Sequence, residues 1–200
     1  FRVVATYGRA EDFTAQEFRN KLDATAASGE VFDYVLERLK GYCQDHGLAA
    51  DQVDAVQAVG VRVPSDIYRR ILAVRDFSQL PEALALTAAN KRIRNILKKS
   101  EEKPGDHVDQ TLLVEPEEIS LAARIRELGP QVRSLIEIGD YADTLRILAG
   151  LRPEVDAFFD QVMVMAEDPR VRANRLALLA GLESLFLGVA DIARLQPMGQ

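Results

Sequence analysis

Residues 88–99 form an amphipathic pattern, and they read Ala88-Ala89-Asn90-Lys91-Arg92-Ile93-Arg94-Asn95-Ile96-Leu97-Lys98-Lys99. Apolar side chains recur at helical spacing on one side of this stretch, at Leu86, Ala89, Ile93, Ile96 and Leu97. Polar and cationic side chains occupy another side at i, i+3, i+4 and i+7, namely Lys91, Arg94, Asn95 and Lys98, with Arg92 and Lys99 beside them. The pattern predicts a helix with one core-facing stripe and one cationic face.

The cationic face has the chemistry of a phosphate-binding surface. Lys and Arg bind phosphates through charge-assisted hydrogen bonds, and Asn can read the edge of a base. A solvated helix face would show the same charge pattern, so the charges alone leave that alternative open.

Helical spacing extends over most of the chain. We predict helices over residues 14–27, 30–46, 51–59, 78–99, 116–128, 130–138, 141–151, 154–167 and 169–195, and another that begins at Ser65. The helix over 154–167 would bury an apolar face made of Val155, Phe158, Phe159, Val162 and Met165. Residues 100–115 are polar, contain Pro104 and Gly105, and predict an exposed loop. The fold class is therefore all-α, a helical array with short connections.

The composition limits the class of protein. The chain has 200 residues, of which 48% are hydrophobic and 6% aromatic, with no Trp, which suits helices around one large core or two small ones. A single cysteine, Cys43, excludes an internal disulfide framework and indicates the cytoplasm. The longest apolar stretch, 176–190, contains Glu183 and is shorter than the roughly 20 residues of a membrane span. We expect no membrane association, and the first residue, Phe1, suggests a fragment of a longer chain.

The charge is distributed unevenly. The net charge is −6, which argues against nucleic-acid binding, yet residues 61–100 carry nine basic and three acidic side chains. Because salt screens charges beyond about 8–10 Å, a local basic strip on an acidic protein can still attract phosphate.

Residues for catalysis or metal binding are scarce. We find no Gly-rich phosphate loop, no Ser/His/Asp set and no Cys-x-x-Cys pair. Cys43 and His46 are spaced to reach one metal ion, but a site needs further ligands, so we predict no metal and no catalytic residue here.

The last predicted helix begins with an unusual charge arrangement. Asp168-Pro169 is a strong helix start, with a capping carboxylate followed by proline at the first helical position. The first turns then carry Arg170, Arg172, Asn174 and Arg175. Cations are unfavourable near this positive end of the helix dipole, so the pattern indicates an anionic ligand or an acidic neighbour. Candidate neighbours are Asp156, Asp160 and Glu167.

The second half of the chain resembles a known family. The stretches that carry the resemblance are residues 88–97, 151–165, 172–179 and 189–196, together with Asp143-Thr144-Leu145-Arg146. They are similar to the DALR-type anticodon-binding domain, whose namesake tetrapeptide is Asp-Ala-Leu-Arg, and specifically to the C-terminal part of bacterial heterotetrameric glycyl-tRNA synthetase β subunits. The resemblance covers residues 80–196 and leaves residues 1–79 as a preceding helical region.

The resemblance implies an all-α module that binds the anticodon arm of tRNA(Gly) in a cytoplasmic enzyme. Glycine activation with ATP and Mg would belong to the partner α subunit, and this segment would hold no cofactor of its own. The residues expected to contact tRNA are Lys91, Arg92, Arg94, Asn95, Lys98 and Lys99 on the stem, and Arg172, Asn174 and Arg175 at the loop. We expect Arg146 to form an ion pair between neighbouring helices.

Two other functions compete with tRNA binding. The segment could dock the α subunit, with its acidic half meeting a basic partner and without direct RNA contact. Alternatively, the N-terminal helices with Cys43 and His46 could be a degenerate hydrolase-type helical domain that holds a metal, although a His-Asp pair is missing from it.

Overall fold

The computed structural model describes residues 29–100, 104–105 and 107–196, and within them the protein is all-α. The predicted helix over 14–27 lies outside these residues. The described chain forms α1 Gly29–Asp45, α2 Ala50–Gln57, α3 Pro64–Ser78, α4 Ala83–Lys99, α5 Pro116–Ile138, α6 Tyr141–Ala149, α7 Arg152–Gln161 and α8 Pro169–Leu187. Two 3₁₀ turns, Gln110–Leu112 and Ile192–Arg194, complete the array. The all-α prediction is thus confirmed.

Several predicted helix ends agree with the structure. Gly47 follows α1 with a φ of 72°, as expected for a glycine that ends a helix in the left-handed conformation. The Asp168 side chain accepts a hydrogen bond of 2.8 Å from the Arg170 backbone N–H and caps α8. These ends were predictable because each depends on residues next to one another in the chain.

Two prolines act differently from the predictions. Pro130 lies inside α5, which continues from Pro116 to Ile138 where two helices were expected. Pro130 and Arg126 are both exposed, so the carbonyl that loses its helical N–H partner can be hydrated. Conversely, Pro81 lies in the break between α3 and α4, which the helix predicted over 78–99 was expected to cover, because the residue before a proline disfavours the helical conformation.

The chain after α7 is extended where the sequence predicted helix. Val162 has φ and ψ of −103° and 121°, and the following side chains alternate in burial as in extended chain. Val162 and Val164 are buried, whereas Met163 and Met165 are 73% and 53% exposed. The prediction that Met165 belongs to a buried helical face is therefore wrong.

The buried side chains form one continuous cluster from Phe32 in α1 to Leu195 near the end of the described chain. Phe77 of α3 packs edge-on against Phe186 of α8, with ring centroids 6.4 Å apart. α3 also packs along α6, so the helical region before residue 80 shares its core with the region after it. The predicted boundary between residues 79 and 80 is not a gap in packing and stays a prediction.

A buried polar network joins α3 to α6 and to the end of α8. Arg70 donates hydrogen bonds of 2.7 and 2.9 Å to the carbonyls of Gly188 and Val189. Its guanidinium also bonds to Asp66 and Tyr141, and the Tyr141 hydroxyl donates a 2.6 Å bond to Asp66. Since buried polar groups are costly without partners, this network fixes α3 against the second half of the chain.

None of the helices described here has an apolar stretch long enough to cross a bilayer.

Candidate nucleic-acid interface

The exposed cationic face of α4 consists of Arg92, Asn95, Lys98 and Lys99. Arg92, Asn95 and Lys99 follow at i, i+3 and i+7 and therefore share one side of the helix, with Lys98 beside them. Within residues 29–100, 104–105 and 107–196, no carboxylate forms an ion pair with these three cations. We call these four residues the α4 face.

Arg92 is held by an aromatic ring. Its guanidinium carbon lies 4.3 Å from the centroid of the Phe159 ring, the geometry of a cation–π contact. Phe159 lies on α7, is half-buried, and packs edge-on against the buried Phe158 at 5.5 Å. The sequence analysis assigned Phe159 only to the core. Its contact with Arg92 depends on α4 and α7 packing together, which the sequence does not reveal.

Lys91 and Arg94 lie next to Lys98 on α4, but both have partners near the end of the described chain. The Lys91 ammonium donates a 2.7 Å hydrogen bond to the Leu195 carbonyl. Arg94 pairs with Asp191, and its Nε lies 3.6 Å from a Glu183 carboxylate oxygen. The hydrogen bond with Asp191 is the main reason why the pKa of Arg94 is raised. The structure gives both side chains a role in fixing residues 191–195, and their predicted phosphate contacts stay a prediction.

Arg175 is buried and ion-paired. Its guanidinium bonds to the carboxylate of Glu118 and donates a 2.6 Å hydrogen bond to the Met163 carbonyl. Glu118 also accepts hydrogen bonds from the backbone N–H groups of Val114 and Glu115, at 2.8 and 3.0 Å. This arrangement ties the start of α5, the segment after α7 and α8 together. Because Arg175 is only 6% exposed, the expected role in reading loop bases is replaced by a structural one.

The acidic neighbour of Arg175 was misidentified from the sequence. The predicted candidates were Asp156, Asp160 and Glu167, but the partner is Glu118, which is 57 residues away along the chain. A local signal for Glu118 existed, since it is the third residue of a helix that begins at a proline, where a carboxylate can reach back to free backbone N–H groups.

Asn174 and Arg172 also serve internal contacts. The Asn174 amide accepts a 2.7 Å hydrogen bond from the Asp109 N–H and donates a 3.0 Å bond to the Asp109 carbonyl. Arg172 donates a 2.7 Å hydrogen bond to the Ala166 carbonyl at the approach to α8. Asn174 is 5% exposed, so these two hydrogen bonds replace the predicted contact with loop bases.

The tetrapeptide Asp143-Thr144-Leu145-Arg146 is divided between the core and the surface. Leu145 and Thr144 are buried, and the Thr144 hydroxyl donates a 2.7 Å bond to the Asp140 carbonyl. Arg146 is 69% exposed and pairs with Asp143 within α6. The expected ion pair between neighbouring helices is therefore wrong, because both partners lie one turn apart on the same helix.

Cys43 and His46 do not share a metal-binding geometry. Cys43 is buried in the core, and burial raises the pKa of its thiol. The His46 ring is exposed, stacks on Tyr42 with centroids 3.9 Å apart, and its Nδ1 lies 2.8 Å from the Tyr42 carbonyl. In the part of the chain that the structure describes, no three His, Cys, Asp or Glu side chains are grouped as metal ligands.

The fold and the α4 face define a helical module with one surface open to a polyanion. Residues 86–192 match the family model described as the DALR anticodon binding domain. The match covers more than half of the chain and includes the whole α4 face. The chain therefore belongs to the DALR anticodon-binding domain family.

Relatives of the chain share one description, glycine–tRNA ligase β subunit. The protein of Chromohalobacter salexigens is 51% identical over 84% of this chain and 24% of its own length. That of Glaesserella parasuis is 47% identical over 92% of this chain and 27% of its own length. The protein of Methylobacillus flagellatus is 43% identical over 91% of this chain and 26% of its own length. The chain spans about a quarter of the length of the curated relatives it matches.

Proposed function

We propose that this chain binds the anticodon arm of tRNA(Gly) as part of the β subunit of a glycine–tRNA ligase. The observation that carries the proposal is that the family match over residues 86–192 contains the α4 face, whose cations are exposed and have no ion-pair partner among the residues that the structure describes. The similarity to glycine–tRNA ligase β subunits supports tRNA(Gly) as the particular RNA.

In this proposal the α4 face positions the RNA through its backbone, and the bases of the RNA loop are accessible to side chains. Lys98 and Lys99 neutralise backbone phosphates, and the Asn95 amide offers one donor and one acceptor within reach of the same strand. Single-stranded loop bases can be read by side chains, whereas the deep groove of an A-form stem excludes them. The contact surface thus consists of the exposed α4 face, on which Arg92 also contacts Phe159 of α7.

Within this proposal the chemistry of aminoacylation takes place elsewhere. The α subunit uses ATP with Mg to activate glycine, and the present segment contributes recognition without a catalytic residue. The assembled enzyme would work in the cytoplasm, with the α subunit and tRNA(Gly) as the partners of this chain, and with neither DNA nor a membrane.

The Lys98→Ala/Lys99→Ala double variant tests the proposal. We expect weaker binding of tRNA(Gly) by the full-length protein and a salt dependence that is flatter by about one slope unit for each lost phosphate contact. Titrations at several salt concentrations measure the slope. The matched control is Arg126→Ala/Arg133→Ala, which removes two exposed cations from α5 and should keep the parent slope.

An unchanged slope in the lysine variant would contradict RNA binding through α4. Retained capture of the α subunit, together with that result, would favour the docking function, in which the acidic half of the chain meets a basic partner.

A further inference from the structure

Arg92 differs from the other cations of the α4 face because its orientation is fixed. The Phe159 ring lies 4.3 Å below the guanidinium carbon, and Phe159 is itself held edge-on by the buried Phe158. An exposed arginine usually samples many rotamers, and a ring contact restricts them. The guanidinium therefore lies over the ring while the Arg92 side chain stays exposed, so part of the guanidinium is open to a ligand.

The chemistry of this open guanidinium suits a flat aromatic ligand. A guanidinium stacks on nucleobases as it does on aromatic rings, and unstacked bases of RNA loops bind to arginine planes in this way. A base above Arg92 would extend the existing Phe159–Arg92 pair into a three-layer stack. Phosphate binding does not require a guanidinium held by a ring, because the flexible ammonium groups of Lys98 and Lys99 can bind phosphate without a fixed orientation.

The charges around Arg92 give the bound strand a direction. Lys99 is seven residues further along α4, about 10 Å at 1.5 Å per residue. α7, the helix that carries Phe159, also exposes Asp156 and Asp160, and Asp156 lies 3.2 Å from Arg152. Carboxylates repel phosphate whereas Lys98 and Lys99 attract it, so we expect a backbone attached to a base on Arg92 to run towards the C-terminal end of α4.

We propose that Arg92, stacked on Phe159, is a platform for one unstacked base of the RNA hairpin loop. The inference rests on the proposed function, because it states how the α4 face binds a base of the RNA in addition to the RNA backbone. Among the described residues a second exposed arginine, Arg62, lies over a phenylalanine, 4.7 Å from the Phe32 ring centroid, and it stands between α2 and α3 outside the α4 face.

The experiment combines Arg92→Lys with an abasic scan of the RNA. The full-length parent protein is titrated with the anticodon arm of tRNA(Gly) and with copies in which each loop nucleotide in turn is abasic. We expect one abasic position to weaken parent binding by about fivefold to a hundredfold. Arg92→Lys should bind the intact arm about as weakly as the parent binds that abasic arm, and should be insensitive to the same position.

Two controls separate stacking from charge and from folding. Arg92→Lys keeps the charge, so its salt slope should equal that of the parent. Arg62→Lys removes an equivalent cation–π pair and should keep the parent's affinity and abasic profile. Phe159→Leu keeps the apolar packing without the aromatic ring and should reproduce the loss seen for Arg92→Lys.

The outcomes distinguish the two proposals. If Arg92→Lys retains the parent's abasic profile while Lys98→Ala/Lys99→Ala flattens the salt slope, the stacking platform is overturned and RNA binding by the α4 face stands. If the parent fails to bind the arm, both proposals are overturned.

Discussion

Arg175 and Glu118 form an ion pair with only 7% and 0% of their side-chain surfaces exposed. We predict that Arg175→Met destabilises the fold by about 3–5 kcal/mol, because Glu118 would remain buried without its cation. Chemical denaturation measures the loss. Arg170→Met, a change at an exposed arginine of the same helix, should stay within about 0.5 kcal/mol.

A second variant checks the cause of that loss. In Arg175→Met/Glu118→Gln no unpaired charge is buried, and the glutamine oxygen can still accept from the Val114 and Glu115 backbone. The double variant should therefore be more stable than Arg175→Met alone. A double variant that is less stable than the single one would show that the cost comes from lost packing.

The sequence predicted the cations of α4 but not which of them are free. Lys91 and Arg94 follow the same periodicity as Asn95 and Lys98, and nothing local separates the two sets. Their partners, Leu195 and Asp191, lie 104 and 97 residues away along the chain. Only the packing of the chain's last turn against α4 decides that these two cations serve structure while Arg92, Lys98 and Lys99 remain exposed.

Helix starts are determined locally, and α8 offers a test. The Asp168 carboxylate caps the Arg170 N–H at 2.8 Å. We predict that Asp168→Ala destabilises the protein by about 1 kcal/mol, since one free N–H loses its acceptor and the negative charge near the helix start is lost. Thermal or chemical unfolding measures this effect. Asp168→Asn should restore most of the loss, and equal stability of the alanine and parent proteins would exclude a capping role.

The C-terminal ends of helices were predicted from the sequence less well than their N-terminal starts. Gly47 was a clear end signal because a glycine at positive φ needs no tertiary partner. The end of α7 at Gln161 had no such signal, and the continuing apolar residues favoured a longer helix. The non-helical chain at 162–165 buries Val162 and Val164 and lets the Met163 carbonyl accept a hydrogen bond from Arg175.

At the scale of the whole molecule, Asp66, Arg70 and Tyr141 connect the first helices to the rest. Burial of Asp66 opposes ionisation, but hydrogen bonds from Tyr141 and Arg70 and the charges of Arg70 and Arg69 outweigh it, so the pKa of Asp66 lies below its ordinary 3.8. A lowered folded-state pKa means that the stabilisation is complete above the unfolded-state pKa. It is lost as the pH falls through the folded-state value.

This linkage predicts the acid sensitivity of the fold. The free energy of unfolding of the parent should fall as the pH drops below 3.8, and Asp66→Asn should show a shallower fall together with lower stability at neutral pH. Denaturant titrations at a series of pH values measure both. The exposed Asp54→Asn serves as the control, and an Asp66→Asn profile parallel to the parent's would contradict the linkage.

The charge of the chain also acts at this scale. The net charge of −6 repels polyanions in general, whereas the α4 face attracts them within about a Debye length. The sequence revealed this asymmetry because it depends only on where charges lie along the chain. It did not reveal the Arg92–Phe159 pair, because these two residues lie 67 positions apart in the sequence and meet only where α4 contacts α7.

The contacts of Lys91 and Arg94 with Leu195 and Asp191 have a consequence for biosynthesis. α4 leaves the ribosome roughly a hundred residues before residues 191–195, which bind its Lys91 and Arg94 side chains in the folded protein. During that interval the two side chains have neither the carbonyl nor the carboxylate that later holds them, and they add to the positive charge of α4. The nascent helix is therefore more cationic than the mature one until translation has delivered residues 191–195.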